Sequence, residues 1–161
     1  MMTMTPRWEW RSFGLHFGQA EKHSGALPPQ DVQESDEFYL LTADGGNVKV
    51  RAALMDIKAL QQVNADGPEQ WVPVLKAEFS LAAADLVKVF DALRLPLPAQ
   101  PRAAYSMDEF IATFAAPGSA IRCLQGHKRR TRYTVGGCMA ARTRSYYATF
   151  PSVSAVDNPA T

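Results

Sequence analysis

An α+β fold built on an antiparallel sheet is what this sequence predicts, and three features predict it. Short runs of strand character occupy both ends of the chain. Asp44-Gly45-Gly46 and Gly136-Gly137 supply hairpin-turn chemistry, and between them the apolar spacing lengthens to that of a helix at Leu86, Val89, Phe90 and Leu93. Strands joined by tight turns rather than helical crossovers belong to antiparallel sheets.

Taken in order, Arg7 to Gly14 reads as a first strand and the polar Gly/Pro/Gln stretch from Gly18 to Ser35 as a loop. Phe38 to Thr42, Asn47 to Ala53 and Met55 to Leu60 are three short strands, and Trp71 to Phe79 is a further one. A helix follows Ser80 and ends before Pro96, Pro98 and Pro101. Ser106-Met107-Asp108-Glu109 is a capping box that starts a second helix, with Phe110, Ile111 and Phe114 on one face and Pro117-Gly118 closing it. Ala120 to Val135 and Cys138 to Arg144 form a last hairpin, and residues 145–161 are a weakly patterned tail.

The 161 residues, 47% hydrophobic, suffice for one domain with its own core and no metal or disulfide staple. Cys123 and Cys138, in a chain with no N-terminal apolar run, read as buried thiols of a reducing compartment. No stretch reaches the roughly 18 apolar residues of a membrane span, and no lipidation signal is present, so a soluble, cytoplasmic protein without membrane partners is expected.

The net charge of +1 conceals a division: after Glu109 the chain carries seven Lys/Arg and a single acid, Asp157. Within that basic part, Lys128, Arg130 and Arg132 recur at every second position, so a strand points all three from one face. The spacing repeats at Lys49-x-Arg51 and, mixed with acids, at Arg7-x-Glu9-x-Arg11, Asp56-x-Lys58 and Lys76-x-Glu78. Two arrangements are open. The charged faces point to solvent from a flat, half-covered sheet, or the sheet curls and they line its hollow, where a bound anion offsets their burial.

Other sites are poorly supported. His16, His23 and His127 lack zinc spacing, neither glycine pair opens a helix as a phosphate loop does, and no nucleophile elbow exists. Trp8, Trp10 and Trp71 read as core or rim anchors.

Phe38-Tyr39-Leu40-Leu41, Asn47-Val48-Lys49-Val50-Arg51 and Met55-Asp56-Ile57-Lys58, followed by Lys76-Ala77-Glu78-Phe79-Ser80 and Lys128-x-Arg130-x-x-Tyr133, resemble in order the strands of the CYTH, or triphosphate tunnel metalloenzyme, superfamily over about residues 7–135. The resemblance implies an antiparallel sheet curled into an eight-stranded tunnel barrel with a few flanking helices. It implies binding of inorganic triphosphate or a nucleoside triphosphate, with metal-dependent triphosphate hydrolysis or cyclase-like chemistry as the enzymatic form. By position, Arg51, Lys58, Lys128 and Arg130 are the implied phosphate-clamping residues, with Arg11 where the family has its first-strand Lys, and Glu9 and Glu78 are the implied ligands of Mg2+ or Mn2+; Lys49, Lys76 and Arg132, charged at the same strand period, complete the candidate phosphate-binding set.

The chain departs from that pattern in its acids. Arg7 and Arg11 replace the first glutamate and the lysine of the family's Glu-x-Glu-x-Lys strand, Ser80 replaces an acid, and Cys138 to Arg144 offers none where the family has one. Either the protein is a non-catalytic anion binder, or the stretch after about Ala140 is altered. The alternative of a nucleic-acid-binding module along Lys128 to Arg132 fits poorly with a near-neutral chain. Turnover is expected to be weak or absent.

Overall fold

The computed structural model describes residues 6–149. Seven strands form one antiparallel sheet: β1 (Arg7–Glu9), β2 (Asp31–Leu41), β3 (Asn47–Arg51), β4 (Leu54–Val63), β5 (Glu69–Glu78), β8 (Arg122–Val135) and β9 (Cys138–Thr149), in the spatial order β1-β5-β4-β3-β2-β8-β9. The sheet curls into a half-barrel. Between β5 and β8 the chain crosses one side as β6 (Leu81–Ala82), helix α2 (Ala83–Leu93), β7 (Ala104–Tyr105) and helix α3 (Met107–Phe114), with β6 and β7 making a two-stranded sheet of their own. The α+β class and the antiparallel pairing are those read from the sequence. Among the described residues β1 and β9 remain at the two edges, so the closing eighth strand of a tunnel is not among them.

Strand alternation divides the sheet into two faces. Val48, Val50, Ile57 and Leu75, at the positions between the charged residues, are buried, and with Leu40, Met55, Leu81 and Ile121 they meet the α2 stripe of Leu86, Val89, Phe90 and Leu93. That stripe has the spacing that predicted the helix. Phe110 of α3 fills the other end of the core, its ring edge-on to Phe114 at 5.2 Å and to Phe79 at 6.1 Å. The capping box is formed: the Glu109 amide donates to Ser106 Oγ at 3.2 Å, and the Ser106 amide donates to Glu109 Oε2 at 2.8 Å.

Four local readings need correction. The stretch read as a loop contains helix α1 (Gln19–Ala26), which buries no residue and so has no apolar period to betray it. The first strand stops at Glu9, not Gly14. Asn47 to Ala53 and Met55 to Leu60 are strands as read, β3 and β4, but the first ends at Arg51, where Ala52 and Ala53 at φ 47° and 60° turn the chain; two alanines in the left-handed region carry no turn signal in the sequence. Cys138 is exposed and Cys123 half-buried, and both are free thiols. The last hairpin turns at Gly136-Gly137, with φ 56° and 79°, as its glycines predict, though β9 runs five residues past Arg144 to Thr149. Asp157 and the rest of the tail beyond Thr149 lie outside the described residues.

Candidate functional site

Residues directly opposed across antiparallel strands share a face. Arg51 opposes Glu37, Lys49 opposes both Tyr39 and Asp56, Asp56 opposes Lys76, and Asn47 opposes Lys58. On the other side of β2, Ser35 opposes Lys128, Gln33 opposes Arg130 and Asp31 opposes Arg132. Lys49, Arg51, Lys58, Lys76, Lys128, Arg130 and Arg132 therefore all lie on the face opposite the apolar one. Arg11 lies beyond β1 and reaches the β5 end of the sheet, donating to Glu69 Oε2 at 2.9 Å with its guanidinium 4.8 Å from the Trp71 ring centroid.

A shared face is not a single site. Lys58 Nζ is 3.4 Å from Glu9 Oε1, Arg132 pairs with Asp31 and donates to Gln33 Oε1 at 3.0 Å, and Lys76 sits on β5, three strands from β2, or roughly 14 Å. The cations that converge do so on Glu37. Arg51 Nε lies 2.8 Å from Glu37 Oε1 and Lys128 Nζ 3.2 Å from Oε2, while the Tyr39 hydroxyl donates to the same carboxylate and itself accepts from Lys128. Ser35 Oγ adds a contact at 3.3 Å. The Glu37 side chain is only 2% exposed, against 16% for Lys128 and 12% for Lys49. Arg130 completes the surround, its Nε donating to Thr143 Oγ1 at 3.4 Å.

Burial alone would raise the Glu37 carboxyl, but the Tyr39 hydrogen bond and the charges of Lys49, Lys128 and Arg51 outweigh it and hold the group at about 2. Burial and the Glu37 charge push the Tyr39 hydroxyl far upward, so it remains a donor. Lys49 is shifted downward by burial and by the neighbouring Arg51, despite Glu37 and Asp56 pulling the other way. Lys49, Arg51 and Lys128 share two acids, Glu37 and Asp56. Asp56 Oδ2 is 3.6 Å from Lys49 Nζ, and its buried Oδ1 has no hydrogen-bond partner. Arg51 Nε is buried too and, although close to Glu37, is misaligned for a hydrogen bond.

Two hollows adjoin the cluster. An open cleft of about 520 Å³ includes Arg51, Phe38, the Ala52-Ala53 turn, Met107 of α3 and His127. A second, of about 10 Å³, lies inside the cluster between Gln33, Ser35, Glu37, Arg51, Lys128 and Arg130. His127 hydrogen-bonds Asp36 through Nδ1 at 2.8 Å and lies 3.5 Å from Glu34 through Nε2; the Asp36 contact raises its pKa. Across the cluster, Gly126 opposes Glu37 and Tyr147, and a Cβ there would stand 2.8 Å from the Tyr147 ring, which meets Tyr39 edge-on at 6.1 Å.

The divalent-ion ligands implied by the resemblance do not fit one ion. Glu9 opposes Glu69 at one end of β5 and Glu78 stands at the other, nine residues or about 30 Å along the strand, whereas an ion's ligands lie about 2.0–2.6 Å from it. Glu9 is also engaged by Lys58 and, at 3.9 Å, by Arg11. Among the described residues no group of three His, Cys, Asp or Glu side chains is placed to hold a metal.

Glu37, Tyr39 and Asp56 are the central residues that reading the sequence for cations misses. Their signal was present: extending the hairpin about Asp44-Gly45-Gly46 antiparallel sets Leu40 against Val48, and hence Tyr39 against Lys49 and Glu37 against Arg51. No protein-family model matches the chain, and neither curated proteins nor solved structures give a match. Among the described residues no helix is long and apolar enough to cross a membrane.

Proposed function

We propose that the chain binds a compact polyanion, inorganic triphosphate or the phosphate chain of a nucleoside triphosphate, at the cation cluster of β2, β3 and β8, and that it acts there as a non-catalytic anion-binding module. One observation carries the reading: Lys49 and Arg51 from β3, and Lys128 and Arg130 from β8, come from the two strands that flank β2 onto one recessed face. Cations fixed by a sheet before a ligand arrives need little reorganisation to neutralise phosphate oxygens. The donor set gives metal-dependent hydrolysis no comparable support, since transfer of a phosphoryl group needs an ion held at the phosphates. A nucleic-acid strand suits the face less well, because its cations alternate with acids rather than forming an uninterrupted basic track.

Calorimetric titration with tripolyphosphate and ATP at low salt tests the proposal, beside Arg51→Ala and Lys128→Met. Binding that both substitutions weaken, with no orthophosphate released in Mg2+ or Mn2+, is the expected outcome. Absence of binding sinks the reading. Metal-dependent release that Glu78→Gln abolishes would replace it with the enzymatic one.

A further inference from the structure

We propose that Glu37 is a resident counter-anion of this cluster, a gate that an incoming phosphate must displace, and that it thereby restricts binding to anions of high charge density. The inference rests on the anion-binding reading and adds the residue that sets its selectivity. With its two oxygens on Arg51 and Lys128, the Glu37 carboxylate stands where a bridging phosphate would place two of its own. The hollow beside it, about 10 Å³, has room for roughly one water and none for a phosphate. Entry to Lys128 therefore requires the Glu37 side chain to move, which rotation about its own bonds allows without shifting the strand.

The neighbouring cleft supplies the approach. Arg51 belongs to both hollows, so an anion in the larger one meets a cation shared with the gate. The misaligned Arg51 Nε–H is a donor that Glu37 holds close but does not satisfy, and a phosphate oxygen can take it. A monoanion exchanges one negative charge for another and gains little. An ion with several charges leaves the cations better neutralised than Glu37 does, since Arg51 and Lys128 share that single carboxylate. Selectivity thus comes from the competing acid as much as from the cations.

The test compares wild type, Glu37→Gln and Tyr39→Phe in calorimetric titrations with tripolyphosphate, pyrophosphate and orthophosphate at low salt. Removing the competing charge should tighten tripolyphosphate roughly tenfold or more, narrow the preference for it over orthophosphate, and, in Tyr39→Phe, where Glu37 loses one donor, give a smaller change of the same sign. Should Glu37→Gln not fold, Tyr39→Phe alone decides by that sign. If wild type binds and neither variant binds more tightly, the gate is overturned while the anion-binding reading stands. If only Glu37→Gln binds, the gate stands and wild type is not an anion receptor under these conditions. If none binds, both fall.

Discussion

The two faces of the sheet are written by the same strands in alternate residues, yet they are held by different physics. On the helix side, Val48, Val50, Met55 and Ile57 pack against Leu86, Val89 and Leu93, and each contact is non-directional and carries no charge for salt to screen. On the other side Lys49, Arg51, Asp56 and Glu37 occupy the intervening positions, and their energy depends on charge balance, hydrogen-bond direction and the ions in solution. Apolar residues can be exchanged for others of similar volume with modest loss. A partner of a buried charge cannot be removed without stranding the rest.

Paired truncations on the two faces break this comparison most forcefully. Phe110→Ala, which empties the end of the core, should cost about 4 kcal/mol in urea unfolding, with the same loss at low and high salt. Glu37→Ala should cost about 3 kcal/mol at low salt, because Arg51 and Lys128 lose their buried partner, and the loss should shrink as salt or polyphosphate is added. Equal salt dependence in the two variants would erase the distinction.

Acid titration sharpens it. The folded-state pKa of Glu37 is lowered from 4.5 to about 2, so its contribution is complete above about 4.5 and is lost as pH falls from there through about 2. Wild type should lose stability across that window, and Glu37→Gln should lose less. A smaller effect is expected at the β3–β4 turn. Ala53→Gly relieves a left-handed alanine and should gain about 1 kcal/mol, readable as a raised melting temperature, whereas Ala92→Gly within helix α2 should lose a similar amount.

The weakest effect belongs to His127, exposed beside Asp36 and Glu34. Its pKa is raised, so its contribution is complete below about 6.5 and declines as pH rises through the raised value. His127→Gln should flatten the stability profile of wild type above pH 6.5, and an unchanged profile would show the contact to be without consequence.

The apolar face was the legible one. A period of two in β3 and β4, a period near 3.6 in α2 and the Ser106/Glu109 box are local signals, and the structure realises each where the sequence has it. The common face of the cations was legible for the same reason, since alternation survives whatever the strands pair with. What alternation cannot supply is position along the neighbouring strand. Glu9 and Glu78 look equivalent as acids on charged strands, and only the register shows them at opposite ends of β5. Glu37 was passed over because an acid in the run from Glu34 to Glu37 looks like solvent-facing charge until Lys128, 91 residues later, is laid beside it. Helix α1 and the Ala52-Ala53 turn escaped because neither uses the residues that mark such structures.

The strand order β5-β4-β3-β2-β8-β9 also separates local pairings from a long-range one. Strands β2 to β5 form a meander of neighbours in the chain, whose hairpins close short loops and form rapidly. The seam between β2 and β8, by contrast, joins residues such as Asp36 and His127 that are far apart in sequence, so closing it costs more chain entropy. During synthesis, Glu37 emerges first and meets Arg51 soon afterwards; Lys128 follows Glu37 only 91 residues later. The charge cluster is therefore completed later than the meander that carries Glu37 and Arg51, and a chain halted before β8 carries an acid-rich meander with one long strand edge bare.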